Sequence, residues 1–170
     1  MQIFEDYKLG RTDDAVHIDN RKLNHLAITK MAQQCKRTIE IVSRELDPPF
    51  FDTEEFVEAC KKMILANRNA RLRIIVFEPQ AIVARGHRLL NLAGTLSSFF
   101  EFRKPDQEYS NFNEALFITD STGYVHRQNT ERFEGIVNFN DKRQSRYLLQ
   151  KFDDIWEKSA TDSNMRQLHI

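Results

Sequence analysis

Two short apolar segments, "TIEIVSR" (Thr38 to Arg44) and "RLRIIVF" (Arg71 to Phe77), constrain the fold most. Both have the length and β-branched content of strands, and the unbroken apolar run of the second suggests burial on both faces. "LDPPF" closes the first, since two prolines cannot continue a ladder. Between them "DTEEFVEACKKMILANR" places Phe56, Cys60, Met63 and Ile64 on one helical face, with Asp52 three residues before Glu55 as in a capping box. A strand, a helix and a second buried strand make a crossover unit.

The rest of the chain extends this alternation. From Asn20, residues Leu23, Leu26, Ala27, Met31 and Cys35 recur at helical spacing, with Asp19 or Asn20 available as the cap. Pro79 opens another helix through "QAIVARGHRLLNLA", interrupted by Gly86 and stopped near Gly94. "SSFFEFR" (Ser97 to Arg103) is read as a third strand with Phe99 and Phe100 on opposite faces. "NFNEALFITDSTGYVHR" is a hairpin whose turn, "DSTG", carries Asp120 in first position. The closing helix, in "NDKRQSRYLLQKFDDIWEKS", turns Leu148, Leu149, Phe152, Ile155 and Trp156 inward. The fold class expected is α/β, a mixed, partly parallel sheet flanked by helices. One domain over 1–170 is expected, with its core at about 20–158 and a short tail, "SATDSNMRQLHI".

Lys and Arg number 25 against 25 Asp and Glu, which gives no long-range field for nucleic acid or an anionic membrane. The two cysteines, Cys35 and Cys60, have no metal spacing and read as reduced, buried residues suited to the cytoplasm. No secretory signal or membrane span is legible. His17, His25 and His169 are isolated, and neither G-x-S-x-G nor a phosphate loop occurs. No metal or cofactor is expected.

The element order, the lone Asp120 closing a late strand and the Phe152-x-x-x-Trp156 pair resemble one repeat of the phospholipase D-like superfamily. "SRELDPPFFD", "RGHRLL" and "FDDIWEKS" are similar to an uncharacterised bacterial family within it, often appended to an acyltransferase domain. An acyltransferase is thus one expected partner. Active members carry H-x-K-x4-D, in which the histidine forms a phosphohistidine and the lysine neutralises phosphate oxygens. Counting back from Asp120 puts Asn113 at the histidine position and Ala115 at the lysine position. "RQNT" (Arg127 to Thr130) falls where Gly-Ser-x-Asn would follow. The resemblance therefore implies a degenerate catalytic strand and a non-catalytic module that binds a ligand or serves in regulation or assembly.

Two alternatives stay open: an enzyme with a relocated catalytic group, His87 being the candidate, and a nucleic-acid-binding module, which the neutral charge disfavours. Arg85, His87 and Arg88 around Gly86 form a candidate cradle for a phosphate-bearing ligand. His126 and Arg127 point to opposite faces of an extended strand, so one of them can join a cleft. The superfamily site lies between two repeats, and this length holds one. The resemblance hence implies a homodimer through the Asn113 and Ala115 face, burying more than about 1,000 Å². The alternative is a monomer covered by its closing helix or its "MRQLHI" tail.

Overall fold

The computed structural model describes residues 3–161. Eight strands form one mixed sheet in the order β1-β7-β6-β5-β2-β3-β4-β8. In chain order the strands are β1 (Val16–Ile18), β2 (Thr38–Ser43), β3 (Arg71–Val76), β4 (Phe100–Pro105), β5 (Ala115–Thr119), β6 (Gly123–Arg127), β7 (Gly135–Asn138) and β8 (Ser159–Thr161). The helices are α1 (Arg21–Gln34), α2 (Pro48–Phe51), α3 (Glu54–Ala66), α4 (Pro79–Arg85), α5 (Arg88–Thr95) and α6 (Lys142–Glu157). Strands β2, β3 and β4 are parallel, and β5 runs antiparallel to β2. The α/β class expected from the sequence is the one observed.

Alternation along the central strands divides the core in two. Ile39, Ile41, Leu72, Ile74, Phe100, Phe102 and Phe117 pack with α1, α3 and α5. Val42, Ile75, Leu116 and Ile118 pack with Leu148, Phe152, Ile155 and Trp156 of α6. Burial of both faces explains why "RLRIIVF" lacks strict polar alternation.

Local details differ from the sequence reading for physical reasons. The cap of α3 is Thr53, whose side chain accepts from the Phe56 amide at 3.2 Å, and Asp52 instead receives Arg88. Pro48 starts a helix, α2, because an N-terminal helical position needs no N–H. The helix from Pro79 is interrupted at Gly86 and ends at Thr95, next to Gly94, as read from the sequence. Ser97–Phe99 is a 3-10 turn, so β4 begins at Phe100, and Phe100 and Phe102 share one face with rings 6.1 Å apart. The hairpin turn is centred on Asp120 and Ser121, both at φ 52°, so Asp120 is its second residue rather than its first. This mirror-image turn follows the twist of paired strands. The edge strands β1 and β8, and β7 next to β1, carry too few residues to stand out in the sequence.

Phe152 and Trp156 do face inward, stacked at 5.5 Å. Arg73 lies 4.8 Å from the Phe152 ring and Arg103 lies 4.2 Å from the Trp156 ring, so two cations of the sheet hold α6 by its aromatic pair. Arg73 also bonds Asp153 at 3.0 Å and reaches Glu40 at 3.5 Å. Glu40 is buried, and its Oε1 has no hydrogen-bond partner. Burial pushes its carboxyl up to about 7, against the opposing pull of Arg73.

Between the ordinary carboxylate value and about pH 7 the native state thus holds a proton that the unfolded chain has released. Stability from this group is present at low pH and is lost as pH rises through that window. We expect unfolding free energy to fall, by at most on the order of 3 kcal/mol, between about pH 5 and about pH 8. Glu40→Gln flattens this slope, which urea titrations at the two pH values measure.

Candidate functional site

The two ends of β5 hold different chemistry. At its far end Asp120 accepts from the backbone amides of Lys36, Arg37 and Thr38 at 2.8, 2.8 and 3.0 Å, and from the Cys35 thiol at 3.3 Å. Its own amide donates to the Thr38 carbonyl at 2.9 Å. Asp120 therefore ties the hairpin turn to the link between α1 and β2. Burial and the nearby Asp120 charge push the Cys35 thiol well up, so it is not a thiolate nucleophile.

Ala115 stands at the other end, roughly 17 Å from Asp120 along an extended strand, and Asn113 lies two residues before it. The Asn113 amide donates to Asn129 Oδ1 at 3.1 Å, and its oxygen accepts from Thr130 Oγ1 at 2.7 Å. These bonds hold the connection that follows β6. Ala115 is only 7% exposed and pairs in register with Arg127 of β6. The Arg127 guanidinium donates to Asp47 Oδ2 at 2.6 Å and to the Arg132 carbonyl at 2.8 Å, beneath the Phe50 ring at 5.3 Å. Asp47 is positioned by Ser43, whose Oγ accepts the Asp47 amide at 3.0 Å. Burial lowers the Arg127 pKa while the Asp47 charge opposes that shift. Between Ala115, Asp47, Phe50 and Arg127 only a void of about 10 Å³ remains, at the lower limit for one water.

Arg85, His87 and Arg88 do not converge. Arg85 donates to the Glu45 carbonyl at 3.1 Å, and Arg88 bonds Asp52 through its amide and guanidinium. His87 is 3% exposed and caps α5: Nδ1 accepts the Leu89 amide at 3.1 Å, and Nε2 lies 2.9 Å from the Leu46 carbonyl. Gly86 is required by its φ of 81°, and no atom stands within 4 Å of where a Cβ would be, so close packing is not its role. His25 bonds the Pro49 carbonyl, while His169 lies outside the described residues.

His126 and Arg127 do face opposite sides of β6. On the α6 side His126 Nε2 is 2.6 Å from Glu114 Oε1, and Lys151 Nζ reaches the same carboxylate at 3.1 Å. Burial raises the Glu114 pKa, but the bonds from His126 and Lys151 outweigh it and the net shift is downward. Of the trio only His126 was singled out in the sequence; Glu114, Lys151 and Asp47 were not. Glu114 and His126 are within reach of hairpin counting once Thr122 is counted into the loop, because Leu116 then pairs with His126 and Glu114 lies two residues before Leu116, whereas Lys151 comes from α6. Asp47 comes from a distant loop and leaves no such signal. No group of metal-ligating side chains occurs among the described residues, and none of their helices is long and apolar enough to cross a membrane.

This sheet and its helical layers define a phospholipase D-like fold. Similar solved structures include NucT from Helicobacter pylori, with TM-score 0.62 and 11% identity over 88% of this chain and 99% of that one. Nuc, a phospholipase D family member from Salmonella typhimurium, gives TM-score 0.56 and 14% identity over 88% and 99%. TrmBL2, an archaeal chromatin protein with a novel mode of DNA binding, gives TM-score 0.64 and 16% identity over 87% of this chain, which spans 53% of its length. The family described as a domain of unknown function (DUF7931) matches residues 20–168, and the chain belongs to it. No curated protein matches the sequence.

The Arg127 and Asp47 pair yields a direct test. Asp47→Ala leaves a buried guanidinium without its counterion and is expected to cost about 3 kcal/mol. Asp47→Ala with Arg127→Met removes both charges and should recover at least half of that loss. Denaturant midpoints of the two single variants and the double variant measure the coupling.

Proposed function

We propose that this chain is a catalytically silent phospholipase D-like module that acts by binding and assembly. The observation that carries this reading is the closed pocket at Ala115. The superfamily chemistry requires a nucleophile and an uncommitted cation facing an accessible phosphate. Here an amide and a methyl group occupy those positions, and the neighbouring cation, Arg127, is spent on Asp47. His87 offers no relocated nucleophile in this arrangement, since both ring nitrogens meet backbone groups in the interior.

The wild-type chain is therefore expected to show no turnover of bis(p-nitrophenyl) phosphate, single-stranded DNA or phosphatidylcholine above the no-protein rate. Asn113→His with Ala115→Lys should not restore it, because the ion pair still fills the pocket. Saturable hydrolysis by the wild type overturns the reading.

Assembly is proposed to use the same end of the sheet. Phe133, 42% exposed and edge-on to Phe50 at 6.2 Å, is an apolar ring beside the Asn113, Asn129 and Thr130 network. A two-fold partner covers it and the strand ends together. Ala115 is too deep to probe that surface, whereas Phe133→Glu charges it without entering the core. Sedimentation should show a dimer for the wild type and a monomer for Phe133→Glu; a wild-type monomer ends the proposal. An acyltransferase remains the candidate heterologous partner on the family resemblance alone. Likeness to TrmBL2 favours nucleic acid as a second reading, and a steep loss of DNA affinity with salt would support it.

A further inference from the structure

A cleft of about 680 Å³ opens on the face of the hairpin opposite the closed pocket, between the ends of β1 and β7 and the loop after β6. His126 lines it and is 8% exposed. His17, Ile136 and His126 form one row across β1, β7 and β6, so the two imidazoles flank Ile136. Gly135 makes this corner: a Cβ there would lie 2.8 Å from the His126 carbonyl oxygen and 2.9 Å from Arg127 Cγ. Only glycine lets β7 approach β6 so closely, and Glu134, the residue before it, lines the same cleft as the histidine.

The polar groups here have a consistent sense. The Glu114 pKa is shifted downward, so Glu114 is a carboxylate and can only accept. The 2.6 Å contact with His126 therefore puts a proton on Nε2. In the neutral ring Nδ1 is then an acceptor. It bonds no described residue and keeps some contact with solvent. Asp19 and Glu134 stand opposite each other one step beyond the Ile18 and Gly135 pair. Asp19 accepts only the Asn20 amide, at 3.2 Å, and neither carboxylate has a cation partner among the described residues. Among the described residues, two carboxylates with no ion-pair partner and an imidazole lone pair share one cleft, in which Arg132 is the one Lys or Arg of the lining.

We propose that this cleft binds the ammonium group of a small amine or amino acid, with Asp19 and Glu134 balancing its charge and His126 Nδ1 accepting one N–H. Arg132, which lines the same cleft and has no ion-pair partner among the described residues, receives the carboxylate when the ligand is an amino acid. The inference does not rest on the closed phosphodiester pocket, so turnover there would leave it standing.

The test follows the ring-nitrogen resonances of His126 in the intact, uniformly 15N-labelled chain at about pH 8, above the ordinary imidazole range. Butylamine, glycine and propionate are the probes. Butylamine is expected to shift Nδ1 saturably and propionate to leave it unmoved. Asp19→Asn and Glu134→Gln, both at exposed positions, should each weaken butylamine binding about two- to five-fold. Glycine binding that is tighter than that of butylamine, and is weakened by Arg132→Gln, identifies an amino-acid site; equal binding identifies an amine site. Absence of a saturable butylamine shift, or a shift unchanged in the Asp19→Asn, Glu134→Gln double variant, overturns the proposal.

Discussion

The carboxylate of Asp120 is the point on which the arrangement of the sheet turns. It gathers three consecutive backbone amides at the link between α1 and β2, and its own amide closes onto Thr38. Those amides leave a helix and enter a strand, so without it they would have no intrachain acceptor in either element. The bonds lock the start of β2 to the hairpin turn, and β2 is the strand that joins the parallel half of the sheet to the antiparallel half. Register between β2 and β5 follows from that contact. Register also decides which residues of β5 face which layer, because a slip of one residue would exchange the two faces.

With that register set, the opposite end of β5 is where Ala115, Arg127 and Asp47 meet. The cation here, Arg127, lies opposite Ala115 and projects from β6 rather than β5. Its partner comes from the loop after β2. A buried guanidinium needs a counterion, since neither charge is tolerable there alone. The pair and the Phe50 ring then occupy the space that a phosphate would need. The proposed silence of this site would therefore rest on four side chains acting together rather than on two replaced ones.

Strand and helix identities were legible wherever periodicity ran for more than about five residues, as in β2, β3, α1, α3 and α6. Boundaries failed where a local rule had two solutions. Asp52 and Thr53 both satisfy a cap, and the competing hydrogen bonds of Arg88 decide between them. The Gly86 break was readable as a helix interruption, whereas its cause, a positive φ with open space around it, was not. Candidate site residues fared unevenly for the same reason. Ala115 and Arg127 lie on paired strands and Asn113 two residues before Ala115, so counting brings them together, but a cluster on one helical turn says nothing of which carbonyl each cation will find. Arg85, His87 and Arg88 go to two different segments, at Glu45 to Leu46 and at Asp52.

The hairpin carries two chemistries that do not interfere, and the pleat is the reason. Ala115 and Arg127 face α1 and α2, while Glu114 and His126, one residue removed on each strand, face α6. The sheet itself separates them, so filling one face leaves the other free to keep an open cleft. Close packing on one side places no constraint on the carboxylate and imidazole pair behind it. Such a hairpin can therefore be closed on one face and keep a cleft on the reverse of the same two strands, provided that a glycine stands where β7 meets β6. Gly135 meets that condition, since any side chain there would collide with the His126 backbone.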